Sequence, residues 1–310
     1  MSAGPTDLIV HLYDAEPAFS VKTKLMLGFK NAAWFACNHP TILPKPDLTA
    51  LTGGYRQIPV AQVGADIYCG SELVMDLIEA RVPSPSFTPL SGAGLGRGLA
   101  YWAEDTLFWL IVQIVCGSDF EPSRREDFNA DRRQMLPGIY DPAAMKAALP
   151  GNLLLLYAHL DLIARQLADG RSWLLGEQPD IVDISFYFPL DFLTHCRNGN
   201  ERIPSRYPAI AAWMDRVAAM GHGRRQVLGG ADAVAVAKAA QPAALACSTV
   251  AGGPQPGDRV RVQWAAYSPV EMIGDIVQAH ARELAVRWQS PEAGELIVHL
   301  PRHAGQISLA

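Results

Sequence analysis

Cysteine is scarce and unpatterned in this chain: Cys37, Cys69, Cys116, Cys196 and Cys247 are five in 310 residues, widely separated and without a C-x-x-C pair. An odd, scattered set argues against a disulfide framework and against a zinc knuckle, and a reducing cytosol is the expected compartment. No metal site is expected; His299 and His303 have a ligand-like spacing only on a helix, and they lie in a β-prone, proline-containing segment. Excess charge is missing too. With 26 basic and 31 acidic residues the net charge is −5, which offers no general attraction to nucleic acid or anionic lipid. Long apolar runs are absent. The most apolar one, Leu107 to Cys116, is about half the ~20 residues a spanning helix needs, and it contains Gln113. It reads as a buried helix, and no membrane partner is expected. The N-terminus, MSAGPTDLIVHLYD, shows no basic stretch followed by an apolar core and a small-residue cleavage site.

What is present is apolar content of 49%, enough to bury substantial cores, and a length that suggests two or three domains. Leu8 to Tyr13 is a β-prone run, and Val21, Leu25 and Phe29 then recur at helical spacing with Lys22, Lys24 and Lys30 between them. Ala33 to Cys37 is a second strand, so the start is a βαβ unit. After an irregular Pro-rich stretch come Ile58 to Val63, a Gly64-Ala65-Asp66 turn, Ile67 to Cys69 and a helix from Ser71. That order predicts a thioredoxin-like α/β domain over residues 1–83. A Pro/Gly/Ser-rich linker separates it from an all-α helical domain over 95–240, whose periodic segments all read as helices. Short β-prone runs between turn residues then predict a small β-barrel-like C-terminal domain over 254–310.

Pro59 starts a strand-like run, where a proline is either cis or at a sheet edge. A cis Ile58–Pro59 bond would turn the Ile58 N–H and C=O away from the sheet, to where an extended peptide can pair with them. Twelve residues on, Ser71 is expected at the N-cap of a helix, where its hydroxyl and the first N–H groups suit a carboxylate. Edge-strand geometry and simple capping account for the same residues without a ligand.

With its proline followed by a hairpin and a helix N-terminus, the segment GYRQIPVAQVGADIYCGSELV resembles the soluble glutathione transferase superfamily, over roughly residues 8 to 240. The segment GEQPDIVDI is similar to the family's capping box in the helical domain, with Asp180 capping and Asp183 reaching back. The resemblance implies glutathione as co-substrate, held at Ile58, Pro59, Gly70 and Ser71. It implies conjugation of the glutathione thiol to a small apolar electrophile, and a homodimer. Where the family carries an acidic residue before the helix-starting serine, this chain has Gly70.

Members of that family donate a hydrogen bond to the thiolate from a hydroxyl at the end of the first strand or the start of the first helix. The position expected to carry it in serine-type members is Pro17, which has none. Tyr13, at the strand end, and Ser20, the expected N-cap of the first helix, are the catalytic candidates that remain. Trp102 and Trp109 would border the pocket for the second substrate, although aromatics at such spacing also serve as core. Pro17 and Gly70 keep a second reading open: a non-catalytic binding or adaptor protein on the same fold.

Overall fold

The computed structural model describes residues 3–15, 17–196, 206–246, 248–249, 253–264, 270–302 and 305–310, so that Cys247 and His303 lie outside the described residues. The chain forms two compact units, one of Met1–Glu16, Ala32–Arg81 and Arg224–Ala310, the other of Pro17–Asn31 and Val82–Gly223.

The first unit is built on one mixed sheet. Strand β1 (Ile9–Tyr13) is buried along its whole length and pairs in parallel with β2 (Ala33–His39), Ile9 opposite Phe35 and His11 opposite Cys37. On its other side β1 pairs antiparallel with β3 (Val60–Val63), which forms a hairpin with β4 (Asp66–Cys69). Helix α3 (Ser71–Arg81) follows. This is the expected thioredoxin-like arrangement. Inside the stretch expected to be irregular, α2 (Pro46–Thr52) begins with a proline at its first position and stops at Gly53, whose φ of 64° is left-handed. Proline at the start and glycine past the end are each suited to those positions, which is why seven residues suffice.

A further strand, β5 (Arg224–Leu228), pairs in parallel with β2 and is followed by a helix from Gly230 to Ala239. Its sequence, RRQVL, has four exposed residues of five, as befits a polar edge strand, and so it carries no alternating apolar signal.

The C-terminal strands form the appended β region expected, as an open extension of this sheet. Strands β6 (Arg259–Gln263), β7 (Glu271–Ala279), β8 (Glu283–Ser290) and β9 (Gly294–Pro301) run as an antiparallel meander, and β10 (Gln306–Leu309) pairs back on β6. Closure would require β9 to return to this group. It pairs instead in parallel with β4, Ile67 opposite Val298, giving the order β10-β6-β7-β8-β9-β4-β3-β1-β2-β5. The pairing covers an edge that a four-stranded sheet would leave open. Side chains secure the extension: buried Trp264 donates to the Gly53 carbonyl at 2.8 Å, and Ser290 donates to the Ala50 carbonyl at 2.7 Å.

The second unit is helical. Helix α1 (Ala18–Phe29) belongs to it, with α4 (Gly92–Trp102), a π-helical turn Ala103–Leu107, α5 (Phe108–Gly117), α6 (Glu126–Met135), α7 (Pro142–Gln166), α8 (Ile181–Leu193) and α9 (Pro208–Ala218). Lys22 and Lys24 of α1, and Lys30 at its C-cap, are all buried. Lys22 pairs with Glu104 of the π turn, and the ammonium of Lys30 sits 4.3 Å from the centre of the Phe87 ring and donates to the Pro85 carbonyl. By length and composition alone, Gly92–Gly117 and Pro142–Gln166 would be able to cross a membrane. The apolar residues of α5 are used in packing against α7 and α8.

The capping box is formed as read. Asp180 accepts from Val182 N–H at 3.2 Å, and Asp183 accepts from Asp180 N–H at 2.9 Å. Both carboxylates do more: Asp180 accepts from Leu90 N–H, Ser91 N–H and the Ser91 hydroxyl, and Asp183 from Leu174 N–H and the Trp213 indole. Burial pushes the Asp183 pKa up despite those donors.

Candidate functional site

In the first unit the Ile58–Pro59 bond is cis and lies just before the β3 ladder, which begins with Val60 opposite His11. The Pro59 carbonyl accepts a hydrogen bond from Gly70 N–H at 3.0 Å, tying this turn to the start of α3. Val74 N–H donates to the Gly70 carbonyl at 3.1 Å, so Gly70 occupies the N-cap and Ser71 is the first helical residue. The expected cap is thus displaced by one position. The reason is conformational: the chain turns from β4 into α3 at a φ of 88°, which glycine adopts freely and serine does not. Ser71, Glu72 and Leu73 still make up the first turn, with its positive dipole end.

The same geometry explains the missing acid. A Cβ on Gly70 would stand 3.3 Å from the Tyr55 hydroxyl, a tight approach, and 3.4 Å from Pro301 of β9, an ordinary contact, so the position is left-handed and closely lined. The nearby carboxylates of Glu72 and Asp76 face Arg282, at 3.8 and 3.2 Å.

Tyr13 closes β1 and is 9% exposed. The buried ammonium of Lys45 lies 4.4 Å from the centre of its ring and donates to the Arg56 carbonyl at 3.3 Å. A cation held on the ring face is a favourable electrostatic contact. Ser20, in the second unit, is not the cap of α1. Pro17 holds the N-cap in extended conformation, and its carbonyl accepts from Ser20 N–H at 2.8 Å and Val21 N–H at 3.2 Å. Ser20 is therefore the third helical residue, and it is fully buried.

A polar cluster that the sequence reading missed lies on one face of the sheet. His11 Nδ1 is 2.9 Å from His39 Nε2, and Cys37 Sγ is 3.6 Å from that same nitrogen. His11 Nε2 is 3.1 Å from Gln62 Oε1. Burial drives the His11 pKa down to about 4, against the pull of the Gln62 bond. Burial, with His11 and Lys45 adding to it, brings His39 to about 3. Burial pushes the Cys37 thiol up to about 12, with Asp47 and Asp232 adding to the effect. The signal in the sequence was positional: histidine or cysteine at alternate residues of two otherwise apolar strands that pair in parallel.

The family profile described as the glutathione S-transferase C-terminal domain matches residues 146–216. A GST-like protein from Pseudomonas syringae is 32% identical, covers 98% of this chain and 100% of its own, and superposes with a TM-score of 0.81. The chain belongs to the glutathione S-transferase superfamily. More distant solved structures share the fold over 69% of the chain. The β-etherase LigF from Sphingobium is 13% identical over 69% of this chain and 96% of its own, with a TM-score of 0.52. A transferase family member from Pseudomonas fluorescens, solved with two glutathione molecules bound, is 13% identical over 69% and 89%, with a TM-score of 0.51. Coverage of the P. syringae protein is so nearly complete that it must include the C-terminal strands. No curated protein matches the chain in sequence.

In the helical unit of this transferase-family protein the two tryptophans expected at a second-substrate pocket have different neighbours. Trp102 stacks on Phe186 at 5.3 Å and meets His159 edge-on, whereas Trp109 packs on Phe108. The denser aromatic group is centred on Phe108, which meets Phe19, Phe188 and Phe192, with Phe120 and His195 beyond Phe192. It draws on α1, α5 and α8, and no spacing along one helix reveals it. The π turn just before Phe108 adds one residue to a helical turn and so re-aims the residues after it. A separate cleft of about 290 Å³, lined by Leu73, Asp76, His280, Ala281, Arg282 and Glu283, contains none of the residues assigned to glutathione.

Proposed function

We propose that this protein binds glutathione through its first unit and adds the glutathione thiolate to a small apolar electrophile. The observation that carries the reading is the hydrogen bond from Gly70 N–H to the Pro59 carbonyl, which fixes the first turn of α3 beside the Ile58–Pro59 backbone. Ile58 pairs its main chain with that of the tripeptide, and the Ser71 hydroxyl and the α3 N-terminus take a carboxylate. Tyr13 donates its hydroxyl to the sulfur, the thiol proton passes to solvent, and the carbon–sulfur bond forms as the electrophile's π bond breaks and its carbanion takes a proton from solvent, or as a leaving group departs with its electron pair. A hydrogen bond to the thiolate is worth ~1.5–3 kcal/mol, or about one to two pKa units. The glutathione bound to the P. fluorescens relative supports the ligand. Trp102 and Trp109, with Phe108, supply the apolar surface for the electrophile. A cytosolic homodimer belongs to the same reading.

A second reading has its own support. Pro17 offers no hydroxyl at the α1 cap, and Pro301 approaches Gly70 where an acidic side chain would meet the ligand ammonium. On this reading the protein binds glutathione, or a peptide like it, without turnover.

Calorimetry with glutathione and conjugation of a generic electrophile separate the two. Binding that weakens about tenfold in Ser71→Ala, with turnover, supports the first. Binding without turnover selects the second, and no binding at all defeats both.

A further inference from the structure

Within the first unit three potential metal donors converge: His11, Cys37 and His39 each offer one ligand atom, and these atoms lie within 4.8 Å of one another. Their placement follows from the sheet. His11 and Cys37 are register partners across the β1–β2 pair, and His39 is two residues beyond Cys37, on the same face. All three are buried, with exposures of 0%, 0% and 4% for His11, Cys37 and His39.

The tautomer of His11 can be read from its neighbours. The Gln62 amide donates from Nε2 to the Gly64 carbonyl at 3.0 Å and to the Ala233 carbonyl at 2.9 Å, so its Oε1 is the end that faces His11. His11 Nε2 must then carry the hydrogen, which leaves the lone pair on Nδ1 directed at His39 Nε2. A ring nitrogen oriented by a hydrogen bond from its other nitrogen is the usual outer support of a histidine ligand. Gln62, itself fully buried and fixed by two backbone carbonyls, provides that support here. The 2.9 and 3.6 Å separations lie within the reach of donors each ~2.0–2.3 Å from a common centre.

We propose that His11 Nδ1, His39 Nε2 and Cys37 Sγ form a binding site for a thiophilic d10 metal ion, Cu(I) or Zn(II). On binding, the Cys37 S–H bond breaks and its proton leaves to solvent as the sulfur–metal bond forms, while His39 shifts its ring hydrogen to Nδ1. No oxidation or reduction is involved. Two imidazoles and one thiolate are a borderline-to-soft set with no carboxylate among them, which disfavours Mg(II) and Ca(II). Three donors complete a trigonal Cu(I) site; Zn(II) would add a fourth ligand from outside the protein. The charged groups around Cys37 and His39 are Lys45, ahead of α2, Asp47 on α2 and Asp232 on the helix Gly230–Ala239, and the two carboxylates offset added positive charge. The site is independent of the glutathione reading, because none of its residues is assigned to that ligand.

The test is equilibrium dialysis of the full chain, anaerobic and with a sulfonated thiol-free reductant, against Cu(I) buffered by bathocuproine disulfonate and separately against Zn(II). The expected result is one equivalent of at least one of the two metals, together with a metal-dependent rise in thermal midpoint. Cys37→Val and His11→Gln should each weaken retention at least tenfold, and Cys69→Ala, which changes a buried thiol outside the cluster, should leave it unchanged. If the Val variant fails to fold, the midpoint rise of the wild type and the His11→Gln comparison still decide. Retention of neither metal, or retention that survives loss of Cys37 or His11, overturns the proposal.

Discussion

The imidazole of His299 lies flat against the phenol ring of Tyr68, with 4.0 Å between centroids and 9° between planes. The two residues are partners across the parallel β4–β9 pair, where the C-terminal extension joins the thioredoxin-like sheet. His299 Nδ1 is 2.6 Å from Glu283 Oε1, and its Nε2 is 3.6 Å from Asp66 Oδ1, an ion-pair distance beyond hydrogen-bond length. Burial pulls the His299 pKa down, but the two carboxylates outweigh it and the net shift is upward. The joint between the two parts of the sheet thus holds a buried histidine whose charged form its two carboxylate neighbours favour.

Stability should depend on pH through this joint. A histidine whose native pKa lies above 6.5 contributes stability that is complete below that value and is lost as pH rises through the native pKa. Burial opposes ionisation of Glu283, yet its bond to His299 prevails and its pKa falls below 4.5, so its contribution is lost as pH falls through the native value. Urea unfolding across this range should show a maximum between the two limits. His299→Gln should flatten the alkaline decline, and an unchanged alkaline limb in that variant would rule out the imidazolium as its source.

Restoring the family's acid at residue 70 should not restore function. Gly70→Asp places a side chain at a φ of 88° against Tyr55 and Pro301. A loss of ~1–3 kcal/mol in stability is expected, with no gain in glutathione affinity. Denaturant melts and calorimetry on the one variant read both quantities; tighter binding would show that the extension does not constrain this position.

Asp180→Ala should cost more than an ordinary helix cap. A typical cap is worth ~1 kcal/mol. Here the same carboxylate also holds Leu90, Ser91 and the Ser91 hydroxyl, so a loss of roughly 2–4 kcal/mol is expected. Ser91→Ala, which removes only the hydroxyl, should cost about 1 kcal/mol in the same assay.

If Tyr13 donates to the glutathione sulfur, Tyr13→Phe should lower kcat/KM at pH 7 by about ten- to a hundredfold while leaving glutathione binding within a few-fold. The thiol titration of bound glutathione, followed by thiolate absorbance, should move up by about one to two units. A thiol pKa that stays in place would remove Tyr13 from the chemistry.

Much of the fold could be read from local pattern, because the signals were local. The capping box of Asp180 and Asp183 acts over three residues, and the βαβ and hairpin units follow from apolar runs separated by turns. The order of strands around Pro59 pointed to the right superfamily for the same reason. Local pattern failed where a one-residue choice depended on backbone conformation: Gly70 and Pro17, not Ser71 and Ser20, take the helix caps. It failed again at β5, whose exposed arginines carry no strand signature.

What the sequence determined by itself is therefore the set of elements and their apolar faces, since propensity, capping and alternation are interactions among near neighbours. Tertiary structure decided which strands meet. The pairing of β9 with β4, the approach of Pro301 to Gly70, and the convergence of His11, Cys37 and His39 all join residues distant in the chain or on separate strands. Such contacts depend on register and burial across the whole sheet, and no window along the sequence contains that information.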